Sequence, residues 1–395
     1  MDVTRDRRRR HTHGGVSHRL PVRCILDVRE LSQLEGEPLD EAIEVGSHFA
    51  FRANDYYLGL IDWTDPADPI RRLVVPDPSE LLDFGDLDAS DEASNTRLAG
   101  LQHKYADTVL LLVTDQCAGF CRYCFRKRLF LPGSRETVRD VSAGLDYIRR
   151  HHEITDVLLT GGDSLALPTP KLNEILEELA GIPHVHTVRL GSKIPAFNPY
   201  RILSDRALHK VLRLRSGTRQ NLYVMCHFDH PREFTPAAVE AVHLLNELGV
   251  RCVNQCPVTL GVNDDVDVLV ELLQTCTDVG CPQYYLFQCR PTAGNARFAM
   301  PLARAFSLVS AARSRVSGLS RRARFCLSHA TGKIEIVGID EERIFARYHR
   351  AKNTADEGRM LVYERDDEAY WLDQLVPTPL GPGREGIMLA PPTCA

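Results

Sequence analysis

Short apolar runs alternate with amphipathic stretches through the middle of this 395-residue chain, and this rhythm constrains its fold more than any other feature. Each run has the length and composition of a buried parallel strand, and such strands are predicted at residues 108–114, 156–160, 187–191, 221–226, 250–256 and 284–289. Stretches long enough for helices lie between them, at residues 141–150, 171–179, 236–248 and 266–277. Six such strands predict an α/β fold, as a barrel or partial barrel with its functional residues at the C-terminal ends of the strands.

The segments on either side of this repeat differ from it in composition. Toward the C-terminus a single strand-like segment is visible, at residues 333–337, before a Pro-rich end over 375–395. We therefore expect four regions: a flexible basic tail over residues 1–24, a helical region over 25–105, the barrel over 106–317 and a C-terminal region over 318–395.

Composition argues against several classes of function. The net charge of −5, from 48 Lys plus Arg against 53 Asp plus Glu, disfavours broad electrostatic capture of nucleic acid. No apolar run approaches the ~20 residues that span a bilayer, and no apolar segment follows the arginines at 7–10 as it would in a secretory signal. Twelve cysteines in such a chain then indicate a reducing, cytoplasmic compartment.

Three cysteines directly follow the first predicted strand, where Cys117, Cys121 and Cys124 form a C-x-x-x-C-x-x-C array. Three thiolates on one short loop can hold three irons of a [4Fe-4S] cluster and leave the fourth iron open. S-adenosylmethionine can chelate that open iron and be cleaved to a carbon radical. The alternative is that the three cysteines belong to the core or bind zinc. Zinc sites usually include a second C-x-x-C or His pair downstream, and we find no such pair in the sequence.

With these features the sequence resembles the radical S-adenosylmethionine superfamily and, within it, the lysine 2,3-aminomutase family. The resemblance runs from about residue 56 to residue 338 and rests on the order and spacing of segments at residues 65–71, 104–105, 117–128, 159–163, 191–192, 227–231, 254–255, 261–264 and 332–333. It implies a partial (β/α)6-type barrel with N-terminal helical and C-terminal extensions. It also implies a [4Fe-4S] cluster, S-adenosylmethionine and pyridoxal 5'-phosphate as cofactors.

The resemblance implies a set of contacts with S-adenosylmethionine. Tyr123 matches the position that packs on the adenine. Gly161, Gly162 and Asp163 follow the second predicted strand, where glycines allow close backbone approach and a carboxylate can hold an ammonium group. Further cosubstrate or active-site contacts are implied at other strand ends, at Ser192, His227 and Gln255. Outside this context a Gly-Gly-Asp sequence is a turn and a lone histidine is usually structural.

Pyridoxal phosphate is implied by Lys333, which stands where the family's cofactor lysine follows a glycine-containing turn and is the predicted catalytic residue. Such a lysine can form an imine with the aldehyde, later exchanged for the amine of the substrate. The alternative is a solvated surface lysine. Lys104 and Tyr105 are the implied phosphate contacts, whereas Thr108 stands where a second arginine is expected.

The implied substrate contacts depart from those of lysine mutases. Arg126 matches the arginine that binds the substrate α-carboxylate, and a guanidinium offers a planar fork for it; Arg122 and Arg128 are expected to be surface or cluster-neighbouring charges. Lysine mutases hold the distal ammonium with two aspartates, but this chain has Arg290 at one position and no carboxylate at 326–328. A cation there favours an acidic distal group such as that of glutamate. The alternative is that Arg290 turns away and pairs with a carboxylate of the barrel.

Three hypotheses follow. The first is a pyridoxal-phosphate-dependent 2,3-aminomutase that converts a non-lysine α-amino acid, with glutamate the first candidate, to a β-amino acid. The second is a pyridoxal-independent radical enzyme that abstracts hydrogen from a small metabolite, leading to epimerisation, elimination or oxidation. The third is a non-catalytic iron–sulfur or zinc-binding regulator, disfavoured because a regulator has no need of the predicted pocket.

The expected partners are a small amino-acid-like substrate and an electron donor such as flavodoxin or ferredoxin, with neither nucleic acid nor membrane. The family's C-terminal zinc-binding cysteine cluster has no match, since Cys394 is the one cysteine near the end. The sequence therefore leaves open whether the chain is a homo-oligomer.

Overall fold

The structure is a computed structural model, and it describes residues 22–378. Most of the expected basic tail over 1–24 and the end of the Pro-rich stretch, with Cys394, lie outside the described residues. Among residues 22–378 no helix has the length and apolar content that crossing a bilayer requires.

Within the described residues, fourteen strands form two sheets. They are β1 (Cys24–Ile25), β2 (Ala53–Asn54), β3 (Thr96–Leu98), β4 (Leu101–Tyr105), β5 (Thr108–Thr114), β6 (Asp156–Gly161), β7 (Thr187–Ser192), β8 (Asn221–Cys226), β9 (Arg251–Val258), β10 (Gln283–Gln288), β11 (Arg324–His329), β12 (Gly332–Ile339), β13 (Arg343–Ala351) and β14 (Met360–Glu364). Strands β1 and β2 pair with each other, and the other twelve form one sheet in sequence order. Strands β5 to β11 are mutually parallel, whereas β3 and β4 at one side and β12 to β14 at the other are antiparallel.

Eleven α-helices accompany the strands between residues 22 and 378. They are α1 (Glu37–His48), α2 (Asp55–Leu58), α3 (Pro69–Val74), α4 (Ser142–Arg150), α5 (Thr169–Ala180), α6 (Ile194–Phe197), α7 (Tyr200–Ser204), α8 (Arg206–Ser216), α9 (Pro236–Glu247), α10 (Val266–Asp278) and α11 (Leu302–Ser314). Helix α10 shows why such a segment is helical: Asp265 caps its first turn by accepting from the backbone of Asp267 and Val268. Its buried side chains, Leu269, Leu272, Leu273 and Cys276, recur at helical spacing on one face.

The predicted α/β class is confirmed, because a large, mostly parallel sheet is packed with helices. The six predicted strands coincide with β5 to β10, and the four predicted helices with α4, α5, α9 and α10, all within two residues at each end. The region after residue 317 differs from expectation, since four strands, β11 to β14, replace the single predicted segment. In β13 buried residues alternate with more exposed Arg and His, and a strand with one polar face lacks the continuous apolar run by which the parallel strands were predicted.

The two sides of the large sheet contact each other, although they lie far apart in its strand order. Arg350 of β13 donates to the hydroxyl of Thr108 at the start of β5, at 3.2 Å. Lys104 of β4 donates to the carbonyl of His329 at the end of β11. The sheet therefore curves far enough to bring its two sides together around an interior space.

Clusters of buried apolar side chains support this sheet. The larger cluster joins the strands to the helices on their outer face. A smaller one belongs to the N-terminal region and includes Tyr57, Tyr123 and Phe197. The N-terminal region is thereby packed directly against the loop that carries the three cysteines.

Candidate active site

A cavity of about 340 Å³ lies inside the curved sheet, within the size range of small-molecule sites. All fifteen site residues predicted from the sequence line it: Lys104, Tyr105, Cys117, Cys121, Tyr123, Cys124, Arg126, Gly161, Gly162, Asp163, Ser192, His227, Gln255, Arg290 and Lys333. They come from segments more than 200 residues apart in sequence. The structure therefore brings the predicted residues together, while their individual roles stay predictions.

The cysteine loop is held in place by the N-terminal region. Arg52 donates from its side chain to the carbonyl of Cys117 at 3.1 Å, and its own carbonyl accepts from the backbone of Phe120 at 2.9 Å. Asn54 donates to the carbonyl of Ala118 at 3.1 Å. These bonds satisfy backbone groups that an irregular loop otherwise leaves unpaired. The loop conformation thus depends on residues far upstream of the motif.

The three cysteines have the chemistry of cluster ligands. All are free thiols, and burial raises the pKa of each, so that they are neutral until a metal replaces the proton. Within residues 22–378 no three His, Cys, Asp or Glu side chains converge as ligands of a single ion. A [4Fe-4S] cluster instead binds each thiolate to a different iron. Three cysteines facing one cavity therefore fit a cluster as a donor set.

Arg122 anchors the same loop from inside the protein. Its side chain is 2% exposed and forms an ion pair with Glu80 at 2.8 Å. Lys127 also lies 3.3 Å from Glu80. Of the two alternatives expected for Arg122 and Arg128, the surface charge is therefore wrong, because the side chain of Arg128 is also only 11% exposed and pairs with Glu92 at 2.6 Å. The alternative of a charge next to the cluster stays a prediction.

Gly161 and Gly162 are required by close packing between the end of β6 and the start of the cysteine loop. Gly161 has φ +106°, and a Cβ there would lie 2.4 Å from the carbonyl oxygen of Thr114. A Cβ at Gly162 would lie 2.4 Å from the carbonyl oxygen of Gln116. The close approach in the structure is to the protein backbone, and an approach of these glycines to the cosubstrate stays a prediction.

Asp163 links the loop after β6 to the loop after β7. Its carboxylate accepts from the backbone of Leu165 at 2.9 Å, Lys193 at 2.6 Å and Ile194 at 3.1 Å. Burial raises the pKa of Asp163 to about 6, and these hydrogen bonds oppose that rise. The hydroxyl of Ser192 accepts from the same backbone amide of Ile194, at 3.0 Å. A carboxylate has further lone pairs, so that Asp163 can still accept from a ligand.

A buried charged network lies beneath Tyr123. The hydroxyl of Tyr123 donates to Asp229 at 2.5 Å, and the ammonium of Lys193 lies 2.6 Å from both Asp229 and Glu233. Tyr57 donates to Glu233 at 2.6 Å. Burial favours a neutral acid, but Lys193 and His227 outweigh it and hold the pKa of Asp229 well below its usual range. The network fixes the orientation of Tyr123, whose ring lies 5.7 Å from that of His227 between centroids.

Sequence reasoning missed the charged members of this network. Asp229 lies inside the segment 227–231 that carries the family resemblance, and Lys193 directly follows Ser192, so that both had a local signal. Glu233 and Tyr57 had none, because their role depends on a contact between residues 176 positions apart.

Arg126 forms an ion pair with Glu92, a contact that was not predicted from the sequence. Its Nε and Nη2 atoms donate to Glu92, with the shortest distance 2.7 Å, and its Nη1 atom donates to the hydroxyl of Thr160 at 2.8 Å. Burial opposes ionisation of Glu92, yet Arg126, Arg290 and Arg128 together lower its pKa to about 2. Glu92 and Thr160 thus hold the guanidinium plane in a fixed orientation at the cavity wall.

Arg290 has no such partner within residues 22–378. Its guanidinium carbon lies 3.5 Å from the centroid of the Phe125 ring, and its Nη1 atom is buried without a hydrogen-bond partner among the described residues. Burial lowers its pKa to about 10, which leaves it charged at neutral pH. The alternative in which Arg290 turns away to pair with a barrel carboxylate is wrong.

Lys333 also faces the cavity. It lies on β12 between Ser328 of β11 and Arg350 of β13, and its ammonium is 4.0 Å from the centroid of the Tyr285 ring. Burial lowers its pKa to about 7, and nearby cations, including Arg290, act in the same direction. The alternative of a solvated lysine is therefore wrong. A lysine that is partly neutral at physiological pH can act as a nucleophile toward a carbonyl.

Comparison with known proteins shows the family of this chain. A protein of Aquifex aeolicus named "Putative L-lysine 2,3-aminomutase" is 49% identical over 353 residues, which are 89% of this chain and 94% of that protein. The chain belongs to the lysine 2,3-aminomutase family. The L-lysine 2,3-aminomutase of Clostridium subterminale is 36% identical over 67% of this chain and 62% of its own length. The glutamate 2,3-aminomutase of Clostridioides difficile is 34% identical over 70% of this chain and 65% of its own. No protein-family model matches the sequence.

The lining of the cavity includes two chemically different groups of residues, named here the cysteine end and the cationic end. The cysteine end is formed by Cys117, Cys121 and Cys124 with Tyr123. The cationic end is formed by Lys104, Arg290, Lys333 and Arg350. Within the described residues, Lys104, Arg290 and Lys333 have no carboxylate at ion-pair distance. Buried cations without counter-ions are costly unless an anion binds among them.

Proposed function

We propose that this chain is a radical S-adenosylmethionine 2,3-aminomutase that depends on pyridoxal 5'-phosphate and acts on an α-amino acid with an acidic side chain, glutamate being the first candidate. Lys333 carries this proposal, because a lysine with a pKa of about 7 lies in the same cavity as three cluster-type cysteines. The proposal includes a partial (β/α)6 barrel over residues 106–317, flanked by the predicted N- and C-terminal regions. It also includes an electron donor such as flavodoxin or ferredoxin.

When bound, the cluster with S-adenosylmethionine supplies a carbon radical that removes hydrogen, and pyridoxal phosphate supplies the carbonyl carbon that carries the migrating amino group. Cys117, Cys121 and Cys124 hold the cluster in this proposal. Tyr123, Asp163 and the strand-end residues Ser192, His227 and Gln255 contact the cosubstrate. The hydrogen bond from Tyr123 to Asp229 holds the aromatic ring in one orientation at the cavity wall.

Lys333 holds the pyridoxal in the proposed site, and Lys104 and Tyr105 contact its phosphate. Burial lowers the pKa of Lys104 to about 8 and raises that of Tyr105 to about 12, so that one is largely cationic and the other a hydrogen-bond donor at neutral pH. Both properties suit a phosphate. The lowered pKa of Lys333, caused mainly by burial, favours the neutral form of its amine.

Arg126 binds the α-carboxylate and Arg290 the distal group in this proposal. Glu92 neutralises Arg126 on one side, whereas Arg290, which lines the cavity, has no ion-pair partner among the described residues. At an effective dielectric constant of about 20, two like charges about 4 Å apart repel by about 4 kcal/mol. The distal ammonium of lysine would meet that repulsion at Arg290, whereas the distal carboxylate of glutamate would be attracted by a similar amount.

Borohydride reduction of the anaerobically reconstituted protein with pyridoxal phosphate, followed by peptide mass mapping, tests the role of Lys333. We expect a pyridoxyl adduct on Lys333, lost in Lys333→Ala and retained in Lys171→Ala, which removes an exposed helical lysine. An unmodified Lys333 in a protein that still cleaves S-adenosylmethionine would contradict the proposal. An adduct on Lys104 alone would do the same, because that lysine is assigned to the phosphate.

A further inference from the structure

The predicted phosphate site is one cation short. A phosphate monoester carries about −1.5 to −2 charges at pH 7, and Lys104 is the one cation that the local sequence offers it. Thr108 occupies the position where the family resemblance leads us to expect an arginine. A hydroxyl can accept or donate a hydrogen bond, but it supplies no charge.

Arg350 reaches this position from the opposite flank of the sheet. Its Nη1 atom donates to the hydroxyl of Thr108 at 3.2 Å, across 242 positions of sequence. Its guanidinium carbon also lies 4.7 Å from the centroid of the Tyr105 ring. Arg350 therefore contacts two of the positions from which the phosphate site is predicted to be built.

Strand register places Arg350 beside the proposed cofactor lysine. Lys333 on β12 and Arg350 on β13 are paired residues of adjacent antiparallel strands. Directly paired residues present their side chains on the same face of a sheet, and both of these line the cavity. A ligand held by Lys333 therefore lies within reach of the arginine fork.

The charge of Arg350 is only partly compensated. Its Nη2 atom pairs with Asp107, whose side chain is 52% exposed, so that this contact faces solvent. The Nη1 atom is bonded to a neutral hydroxyl. A guanidinium can bind a carboxylate with one prong of its fork and a phosphate oxygen with another.

We propose that Arg350 supplies the second cation of the phosphate site and so restores, from β13, the charge that Thr108 does not provide on β5. This inference rests on the proposed function, because it needs pyridoxal phosphate as the ligand. It assigns to the phosphate a residue that lies outside the motif segments on which the family resemblance was based. The competing explanation is mechanical: Arg350 and Asp107 tie two strands together, and the cofactor is unaffected.

The test compares pyridoxal phosphate with pyridoxal, which has the same aldehyde and no phosphate. Dissociation constants for both aldehydes are measured by absorbance in wild type and in Arg350→Gln. Borohydride trapping then shows whether the aldehyde is bound at Lys333. Arg343→Gln is the matched control, because Arg343 lies on the same strand in an exposed ion pair with Asp340. We expect Arg350→Gln to weaken pyridoxal phosphate about 10- to 100-fold, as loss of a charge-assisted hydrogen bond does, and pyridoxal less than twofold.

The outcomes are distinct. Unchanged binding of pyridoxal phosphate in Arg350→Gln would overturn the inference. An equal loss of affinity for both aldehydes would also overturn it, because such a loss does not depend on the phosphate. Asp107→Asn breaks the strand contact without removing the arginine. It is expected to bind pyridoxal phosphate as tightly as wild type, and a loss equal to that of Arg350→Gln would favour the mechanical explanation.

Two further results separate this inference from the proposed function. If Arg350→Gln does not fold, Arg350→Met removes the charge and keeps an unbranched stem; it is expected to weaken pyridoxal phosphate about 10- to 100-fold and pyridoxal less than twofold. Wild type that forms no adduct on Lys333 with either aldehyde would refute the proposed function itself. If wild type forms the adduct on Lys333, and Arg350→Gln prefers pyridoxal phosphate over pyridoxal as strongly as wild type does, only the role of Arg350 is refuted.

Discussion

Replacing Arg290 with glutamine removes the unpaired charge that we assign to the distal carboxylate of the substrate. The guanidinium lies against the face of Phe125 and has a buried Nη1 atom without a partner among the described residues. Glutamine keeps a donor of similar shape but no charge. The substitution therefore removes the charge from the cavity wall, and because Phe125 directly follows Cys124, the cluster content of the variant has to be measured as well.

The expected magnitude follows from the bond that is lost. A hydrogen bond to a charged group contributes about 1.5–3 kcal/mol, and about 1.4 kcal/mol corresponds to a factor of ten. We expect kcat/KM for glutamate to fall about 10- to 100-fold in Arg290→Gln. Arg290→Lys retains the charge and is expected to lose less. Because the lost bond holds the substrate rather than a reacting atom, most of the change should be in KM.

The assay is anaerobic conversion of glutamate to its β-isomer by the reconstituted protein, with the β-amino acid quantified by mass spectrometry. Iron content and the cluster spectrum are compared between wild type and variant, which separates substrate recognition from loss of the cluster. A kcat/KM for glutamate within twofold of wild type in Arg290→Gln would refute the assignment. Preference of the wild-type protein for lysine over glutamate would refute it as well.

Three further predictions concern single groups. The rate at which Lys333 is trapped with pyridoxal should rise with pH through about 7, because the pKa of this amine is lowered from 10.5 and only the neutral form reacts; a midpoint near the ordinary lysine value would contradict it. Glu80→Gln should lower the free energy of unfolding, measured with denaturant, by about 3–5 kcal/mol, since it leaves Arg122 buried without its partner; the exposed-pair control Glu174→Gln should cost about 0–1 kcal/mol. Tyr123→Phe should cost about 1–3 kcal/mol of stability by leaving Asp229 short of one donor, while the bound iron is retained; loss of iron would show that the hydroxyl supports the cluster loop instead.

The parallel strands and the strand-end residues could be predicted from the sequence because their signals are local. A continuous apolar run identifies a strand buried on both faces, and the chemistry at its end follows within a few residues, as Asp163 follows β6. Strand β13 escaped prediction because its arginines and histidine interrupt the apolar pattern. The sequence pattern therefore predicted the centre of the sheet and missed most of both flanks, since β3 and β4 also lie in a region that was expected to be helical.

The features of the site that sequence could not supply depend on contacts between distant segments. Glu92 reaches Arg126 from 34 positions upstream, and Arg350 reaches Thr108 through strand register across the curved sheet. Neither residue belongs to a motif, and in the sequence alone a Glu or an Arg at such a position is indistinguishable from an ordinary charged surface residue. Motifs thus predicted which groups meet ligands, and the structure adds the residues that orient and charge-balance them.

The most direct test of the central claim is product analysis of the fully reconstituted protein supplied with glutamate, S-adenosylmethionine, pyridoxal phosphate and a reductant. The account predicts β-glutamate, formed only when all components are present, and its absence in both Cys124→Ala and Lys333→Ala. Cleavage of S-adenosylmethionine with glutamate recovered unchanged, or β-lysine formed from lysine at a higher rate than β-glutamate from glutamate, would contradict it.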